Sequence, residues 1–295
     1  MEKNRITLHN LTKSYGEKIA VNIPSLSIQP QTFTCIVGKS GCGKTTLLRL
    51  LAGLERPDTE QDGSGIKNAG HPGRTEKFVA AGITGLPKET APVFQEPRLM
   101  PWLTVKENIM FSLKGQEGKT DRQHVSASDA TKTTAAKEAP HGNNKIPFAP
   151  GSAAHVQPSL SPEERCRRLL HELELTDAAG LYPAQLSGGM AQRVSLGRTL
   201  FYDPELILMD EPFSALDYFT RRNLQDMVLR LFRNQTKTIL FVTHDVEEAL
   251  LLGDRILVME NGAIKADLPV PFPFPRKAAD SEIQKMRQAI LDLLA

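Results

Sequence analysis

Gly38-Lys39-Ser40-Gly41-Cys42-Gly43-Lys44-Thr45 follows the apolar run Thr34 to Val37 and precedes Thr45 to Leu54. In the second stretch Leu47, Leu48, Leu51 and Leu54 recur at helical spacing, with Gly53 near its end. The first run predicts a buried strand, the leucines predict a helix, and the glycines predict a tight loop between them. Glycines let successive backbone N–H groups converge on phosphate oxygens, and the helix N-terminus adds partial positive charge at the same point. Gly38, Gly43, Lys44 and Thr45 satisfy the spacing Gly-x-x-x-x-Gly-Lys-Thr. In that pattern the lysine reaches the β- and γ-phosphates and the hydroxyl ligates Mg²⁺. The expected nucleotide-binding set is Gly38, Lys39, Ser40, Gly41, Cys42, Gly43, Lys44, Thr45 and Thr46. Cys42 within the loop predicts inhibition by thiol reagents and protection by the nucleotide.

A second element narrows the chemistry. Leu206-Ile207-Leu208-Met209-Asp210-Glu211 reads as a buried strand ending in two carboxylates. Beside a phosphate loop, Asp210 can hold Mg²⁺ through water, and Glu211 can orient or deprotonate an attacking water. Guanine is usually read by Asn-Lys-x-Asp. Here Asn144-Lys145-Ile146-Pro147 lacks the Asp, so ATP is the expected nucleotide.

Further strands are expected at 5–9, Thr238 to Val242 and Arg255 to Met259, and a helix where Leu224, Met227, Val228, Leu231 and Phe232 share one face. Ser161-Pro162-Glu163-Glu164 reads as a helix start, with Pro in the first turn and acids beside it. Alternation of strands and helices predicts an α/β core with a largely parallel sheet. Pro57 to about Gly73 fits short strands and turns, and Thr75 to Ala81 reads as added length. Between Gly115 and Ser161 large apolar residues are too few to offset ordering entropy, which predicts a flexible insertion. Near the end, Ile283, Met286, Ile290 and Leu293 mark one face of a terminal helix.

The chain has 295 residues, 40% hydrophobic and 24% charged, with net charge +2. That balance gives no reason to expect nucleic acid as a partner. No apolar run reaches the roughly 18 residues that span a bilayer, and the start MEKNRITLHN carries no signal-peptide pattern. Three scattered cysteines, Cys35, Cys42 and Cys166, offer neither a disulfide framework nor zinc-site spacing. A cytoplasmic chain, placed on a membrane through a partner, is the expectation.

Leu186-Ser187-Gly188-Gly189-Met190, followed by Gln192-Arg193, lies between the two nucleotide motifs. A Ser-Gly-Gly turn at a helix N-terminus is another phosphate-binding surface. This string resembles the signature of ABC ATPases, the engines of ATP-binding-cassette transporters. The resemblance covers about residues 5–265 apart from the insertion. It implies a P-loop fold with a RecA-like core, an antiparallel β subdomain and an inserted α-helical subdomain. The domain is then expected over 1–265, its helical subdomain at about 97–185 containing the insertion 115–161, with a tail over 266–295.

The same resemblance implies roles. Tyr15 matches the aromatic that stacks on adenine. Gln95 matches the glutamine that senses Mg²⁺ and the attacking water, and Asp217, in Ser214-Ala215-Leu216-Asp217, matches a loop that crosses the dimer. His244, in Val242-Thr243-His244-Asp245, matches the switch histidine at the γ-phosphate. Ser187, Gly188 and Gly189 would close over the nucleotide held by a second copy. Expected catalytic residues are Glu211, His244, Gln95 and Lys44; expected Mg²⁺ ligands are Thr45, Gln95 and Asp210.

Phe94-Gln95-Glu96-Pro97-Arg98-Leu99-Met100-Pro101-Trp102-Leu103-Thr104-Val105 resembles the corresponding stretch of importer ATPases for nitrate, sulfonates and taurine. Relatives with this pattern also serve thiamine precursors. In importers the stretch helps to receive a permease helix, although Trp102 reads equally as a core residue. Implied partners are a second copy, transmembrane permease subunits and, through them, a periplasmic or extracellular solute-binding protein, with the chain peripheral on the cytoplasmic face of the inner membrane. A soluble ABC ATPase outside transport stays open as the alternative. Ala191, where relatives often carry a charged or amide side chain, departs from the pattern.

Overall fold

A computed structural model describes residues 5–58, 82–111, 160–232 and 236–295. The expected turns between Pro57 and Gly73, the added length at Thr75 to Ala81 and nearly all of the expected insertion lie outside the described residues.

The strands are β1 (Ile6–Tyr15), β2 (Lys18–Ile28), β3 (Phe33–Val37), β4 (Ile83–Thr84), β5 (Thr90–Val93), β6 (Leu206–Asp210), β7 (Thr238–Thr243), β8 (Arg255–Glu260) and β9 (Ala263–Pro269). The helices are α1 (Lys44–Ala52), α2 (Val105–Ile109), α3 (Pro162–Glu172), α4 (Gly188–Tyr202), α5 (Tyr218–Phe232), α6 (Val246–Leu252) and α7 (Ser281–Leu294). Six strands form one sheet in the order β5-β6-β7-β3-β8-β9, and β2-β1-β4 form a smaller antiparallel one. Within the larger sheet all pairings are parallel except β8 with β9. The parallel core, the antiparallel sheet and a helical region around α2, α3 and the start of α4 match the expected α/β architecture.

Alternation along β3 divides the interior in two. Phe33, Cys35 and Val37 face a cluster with Ile207, Met209, Phe241 and the helical region, while Ile36 faces α1 and the antiparallel sheet. Such strands are buried on both faces and read as continuous apolar runs. In the helical region Ser161 caps α3 in a reciprocal capping box with Glu164, and Pro162 begins the helix, as the sequence predicts. Gly197 of α4 lets Leu173 and Ile109 approach closely, since a Cβ there would lie 2.6 Å from Leu173 Cδ1. The boundary expected at 265 falls inside β9, and Val270, Ile283 and Ile290 beyond it belong to the sheet's own core.

Phe241, fully buried on β7, has the rings of Phe33 and Phe213 at 5.8 and 5.7 Å. Phe241→Ala should lower unfolding free energy by about 3–5 kcal/mol, because the cavity cannot collapse between three elements. Urea unfolding should show this as a lower midpoint at unchanged slope.

Candidate functional site

β3 is buried throughout and delivers the chain into the loop beginning at Gly38. Gly43 caps α1 with φ 110°, and Gly41 has φ 76°. Both lie where side-chain-bearing residues are strained. Cβ atoms at Gly38 and Gly43 would lie 2.3 Å from Met259 O and 2.0 Å from Ala20 O, so the loop touches the backbones of both sheets. A Cβ added at Gly41 would meet nothing within 4 Å, and Lys39 and Ser40 are exposed. The loop therefore has one face against the core and one open.

The Lys44 amine donates to Gly38 O at 2.8 Å and Lys39 O at 3.1 Å, which folds it across the loop. No acid occupies the first turn of α1. The amine and the helix N-terminus thus bring positive charge to the loop, which suits phosphate. Cys42 is 7% exposed and packs into the core under α1. Its thiol is turned away from the open face, so only its backbone is available to a ligand there.

β6 emerges from the interior at Asp210. Thr45 Oγ1, on α1, donates to Asp210 Oδ1 at 3.0 Å. Burial pushes the Asp210 carboxyl above the usual carboxylate range, and Glu211 adds to the rise, while the bond from Thr45 opposes it. A cation between these oxygens would relieve that burial cost. Among the described residues no cluster of three or more His, Cys, Asp or Glu side chains forms a metal cage. A hydroxyl and one carboxylate beside a phosphate site instead fit Mg²⁺, which takes few protein ligands and completes its shell with water and phosphate.

Glu211 follows with φ 44°, outside the β region of its strand. Its N–H donates to Val242 O at 2.9 Å, and its carbonyl accepts from Ser214 N at 3.2 Å and Ser214 Oγ at 2.9 Å. These bonds hold the unusual backbone and turn the carboxylate toward the end of β7. There His244 Nδ1 lies 2.9 Å from Glu211 Oε2. A carboxylate can only accept, so the contact places a hydrogen on Nδ1.

Tyr15 ends β1 half exposed, its hydroxyl hydrogen-bonded to Glu55. That bond and burial push the phenol's pKa up, while Thr46 opposes the rise. Glu55 also accepts from Arg49 Nη1 at 3.2 Å. Glu55 and Arg49 escaped the sequence reading; the only cue was a Glu just past the glycine that ends α1. Gln95 is exposed two residues beyond β5, and the pairing of Val93 with Met209 sets that end of β5 beside Asp210.

Ser187 caps α4 by accepting from Met190 N at 3.2 Å, and a Cβ at Gly189 would meet Thr220 Cγ2 at 2.5 Å. Asp217 Oδ1 accepts from the backbone of Phe219 and Thr220, both at 3.1 Å, starting α5. A hydrogen bond from the Thr220 side chain, and after it these backbone bonds, hold its carboxyl below the usual range. Trp102 is 69% exposed, which decides between its two readings in favour of the surface. Lys44, Thr45, Asp210, Glu211 and His244 thus gather at the ends of β3, β6 and β7, where ligands bind in open α/β sheets.

A family model described as ABC transporter matches residues 21–214. An aliphatic sulfonates import ATP-binding protein, SsuB, of Granulibacter bethesdensis is 36% identical over 289 residues, covering 98% of this chain and 94% of its own length. The protein of that name from Corynebacterium glutamicum is 37% identical over 279 residues, covering 95% of this chain and 90% of its own. A solved dimeric structure of the ATP-binding cassette MJ0796, in a post-hydrolysis state bound to ADP and Pi, is 26% identical with a TM-score of 0.61, covering 91% of this chain and 100% of that one. With the phosphate loop, the paired carboxylates and the Ser-Gly-Gly cap of α4 in place, the chain belongs to the ABC transporter family, as one of its ATP-binding cassettes.

Proposed function

We propose that the chain is the ATP-hydrolysing subunit of an importer for a small anionic solute, an aliphatic sulfonate first of all. The observation that carries the chemistry is the gathering of Thr45, Asp210, Glu211 and His244 at adjoining strand ends, with Thr45 bonded to Asp210 at 3.0 Å and His244 to Glu211 at 2.9 Å. The solute class is supported by the sulfonate importers that resemble the chain over nearly its whole length.

In this reading the ATPase body is the expected 1–265 extended through the rest of β9, with a helical part at about 97–185, and the remainder to 295 packs into its core. The backbone from Gly38 to Thr46, including Lys39, Ser40, Gly41, Cys42 and Gly43, cradles the phosphates, and Tyr15 stacks on adenine. Lys44 leaves its loop carbonyls for the β- and γ-phosphates. Thr45, Asp210 and Gln95 would hold Mg²⁺, which when bound would supply charge neutralisation at the phosphates. Glu211 takes a proton from the attacking water as the water oxygen bonds to the γ-phosphorus and ADP leaves. His244 stands beside the γ-phosphate, and its contact with Glu211 keeps the two groups in register.

Ser187, Gly188 and Gly189 lie at the N-terminus of α4, a second phosphate-binding end. They complete the site of a second copy, with Asp217 crossing between the two. The exposed stretch around Gln95 and Trp102 receives a permease, which a solute-binding protein loads from outside. The pair therefore sits on the cytoplasmic face of the inner membrane as a peripheral subunit. Among the described residues no helix is long and apolar enough to cross a membrane.

Glu211→Gln should keep ATP binding and stabilise an ATP-bound dimer on size exclusion. Its turnover should drop at least ~10²-fold, the scale of one lost general base. Wild-type turnover in that variant would sink the assignment of the base. A deletion strain supplied with an alkanesulfonate as sole sulfur source should regain growth with the wild-type chain and not with Lys44→Ala. Full growth of the deletion strain without either would remove sulfonate as the solute.

A further inference from the structure

Behind His244 lies a buried polar pair that the proposed chemistry does not use. Gln225 of α5 and Glu248 of α6 are 4% and 5% exposed, and Gln225 Nε2 donates to Glu248 Oε1 at 2.9 Å. The Thr243 hydroxyl also bonds to Glu248, and it accepts from Asp245 N at 3.0 Å. Thr243 and Asp245 are the two neighbours of His244, so one flank of the imidazole is tied to this carboxylate and the other, through the Asp245 side chain, to the backbone N–H of Glu248. Asp245 in turn caps α6, accepting from Glu247 N at 2.9 Å and Glu248 N at 3.3 Å.

α5 reaches the same place from the other side. Arg221 Nη2 donates to Leu216 O, in the loop before α5, at 3.1 Å, and its Nη1 lies 3.9 Å from Asp245 Oδ2. Arg222 donates to Gln225 Oε1 at 3.2 Å and faces Glu247 at 3.7 Å. A circuit results: Glu211 to Ser214, Leu216 to Arg221, Arg221 to Asp245, and His244 back to Glu211.

A helix of only seven residues, as α6 is, holds little shape of its own. A buried carboxylate is a costly way to fill space, since an apolar side chain of equal volume would serve packing as well or better. We propose that Glu248, held by Gln225, is a positioning residue for hydrolysis: it locks α6 to α5 so that His244 stays in register with Glu211 and with the loop at 214–217. The idea rests on the proposed roles of Glu211 and His244. It adds that the loop expected to meet the second copy and the histidine expected to meet the γ-phosphate move as one body.

Glu248→Met tests this in the full-length chain. Methionine keeps the length and volume of the side chain and removes its hydrogen bonds. Steady-state ATPase should show kcat lowered about tenfold or more with KM for MgATP changed less than about twofold, the pattern of an interaction that matters only in the transition state. The thermal unfolding midpoint should fall modestly, because Gln225 and Thr243 lose a buried partner, while the chain stays folded and binds MgATP. Glu248→Gln, whose amide can accept from Gln225 and donate to Thr243, should restore kcat to within about threefold of wild type. Gln225→Leu should act like Glu248→Met, and the double variant should be no slower than either. Wild-type kcat in Glu248→Met would overturn the proposal, as would a kcat loss that Glu248→Gln does not rescue. If the wild-type chain hydrolysed no ATP, the functional reading would fail instead. If Glu211→Gln abolished turnover while Glu248→Met did not affect it, only this inference would fall.

Discussion

The phosphate loop sits where it does because two of its residues have no side chain. Gly38 lies against Met259 O of β8, and Gly43 lies against Ala20 O of β2. Any Cβ would push the loop off one sheet or the other. The joint is then tied by backbone bonds: Gly262 N donates to Cys42 O at 2.9 Å, and Asn22 N donates to Gly262 O at 2.8 Å. One turn between β8 and β9 thus fixes the loop and the antiparallel sheet at once. The buried thiol of Cys42 fills the space beneath. Because the loop is pinned from behind, it can keep its open amides, Ser40 and the lysines Lys39 and Lys44 in place without collapsing.

From that joint the rest of the site follows by register. β3 carries the loop, β7 lies beside it with Val37 paired to Thr243, and β6 lies beside β7 with Asp210 paired to Val242. Three strand ends therefore line up within one edge of the sheet. Thr45 meets Asp210 because α1 returns over that edge. The left-handed backbone of Glu211 then aims its carboxylate sideways at β7 rather than along its own strand. A residue with a Cβ in that conformation is strained, and such strain persists only where neighbours over-determine it. Ser214 and Val242 supply that determination here.

Much of this was legible in the sequence, for a physical reason. The strands that feed the site are buried on both faces, so Leu206 to Met209 and Thr238 to Val242 stand out as apolar runs, and their chemistry follows directly at their ends. The half-buried antiparallel sheet was harder. β1 runs ten residues to Tyr15, yet only 5–9 read as a strand, because Asn10, Thr12, Lys13 and Ser14 leave Leu11 isolated among polar positions. β2 carries Asn22, Pro24 and Ser25 in an edge strand and was passed over. α6, Val246–Leu252, is too short and too evenly apolar to show a helical period. Pairings far apart in sequence, such as Tyr15 with Glu55 or Gln225 with Glu248, leave no local pattern at all.

The same contrast explains why the motifs describe a binding surface better than they describe a machine. The motif residues gather at the strand ends and at the N-termini of α1 and α4, where the proposed chemistry places ligand and partner. What holds them at workable angles is a second set of ordinary residues: Ser214, Arg221, Gln225 and Glu248 on one side, Glu55 and Arg49 on the other. The proposed timing of hydrolysis by the closing of two copies requires that contact at the surface loops reach Glu211 and His244 without being lost in a soft interior. Helix α5 provides a short route, because its first two turns bond both to the loop at 214–217 and to the residues flanking His244. Polar bonds buried in a low-dielectric interior are directional, and a satisfied network specifies one arrangement where apolar packing tolerates several. Retaining a carboxylate in the core behind the site therefore fits a demand for fixed geometry rather than for stability.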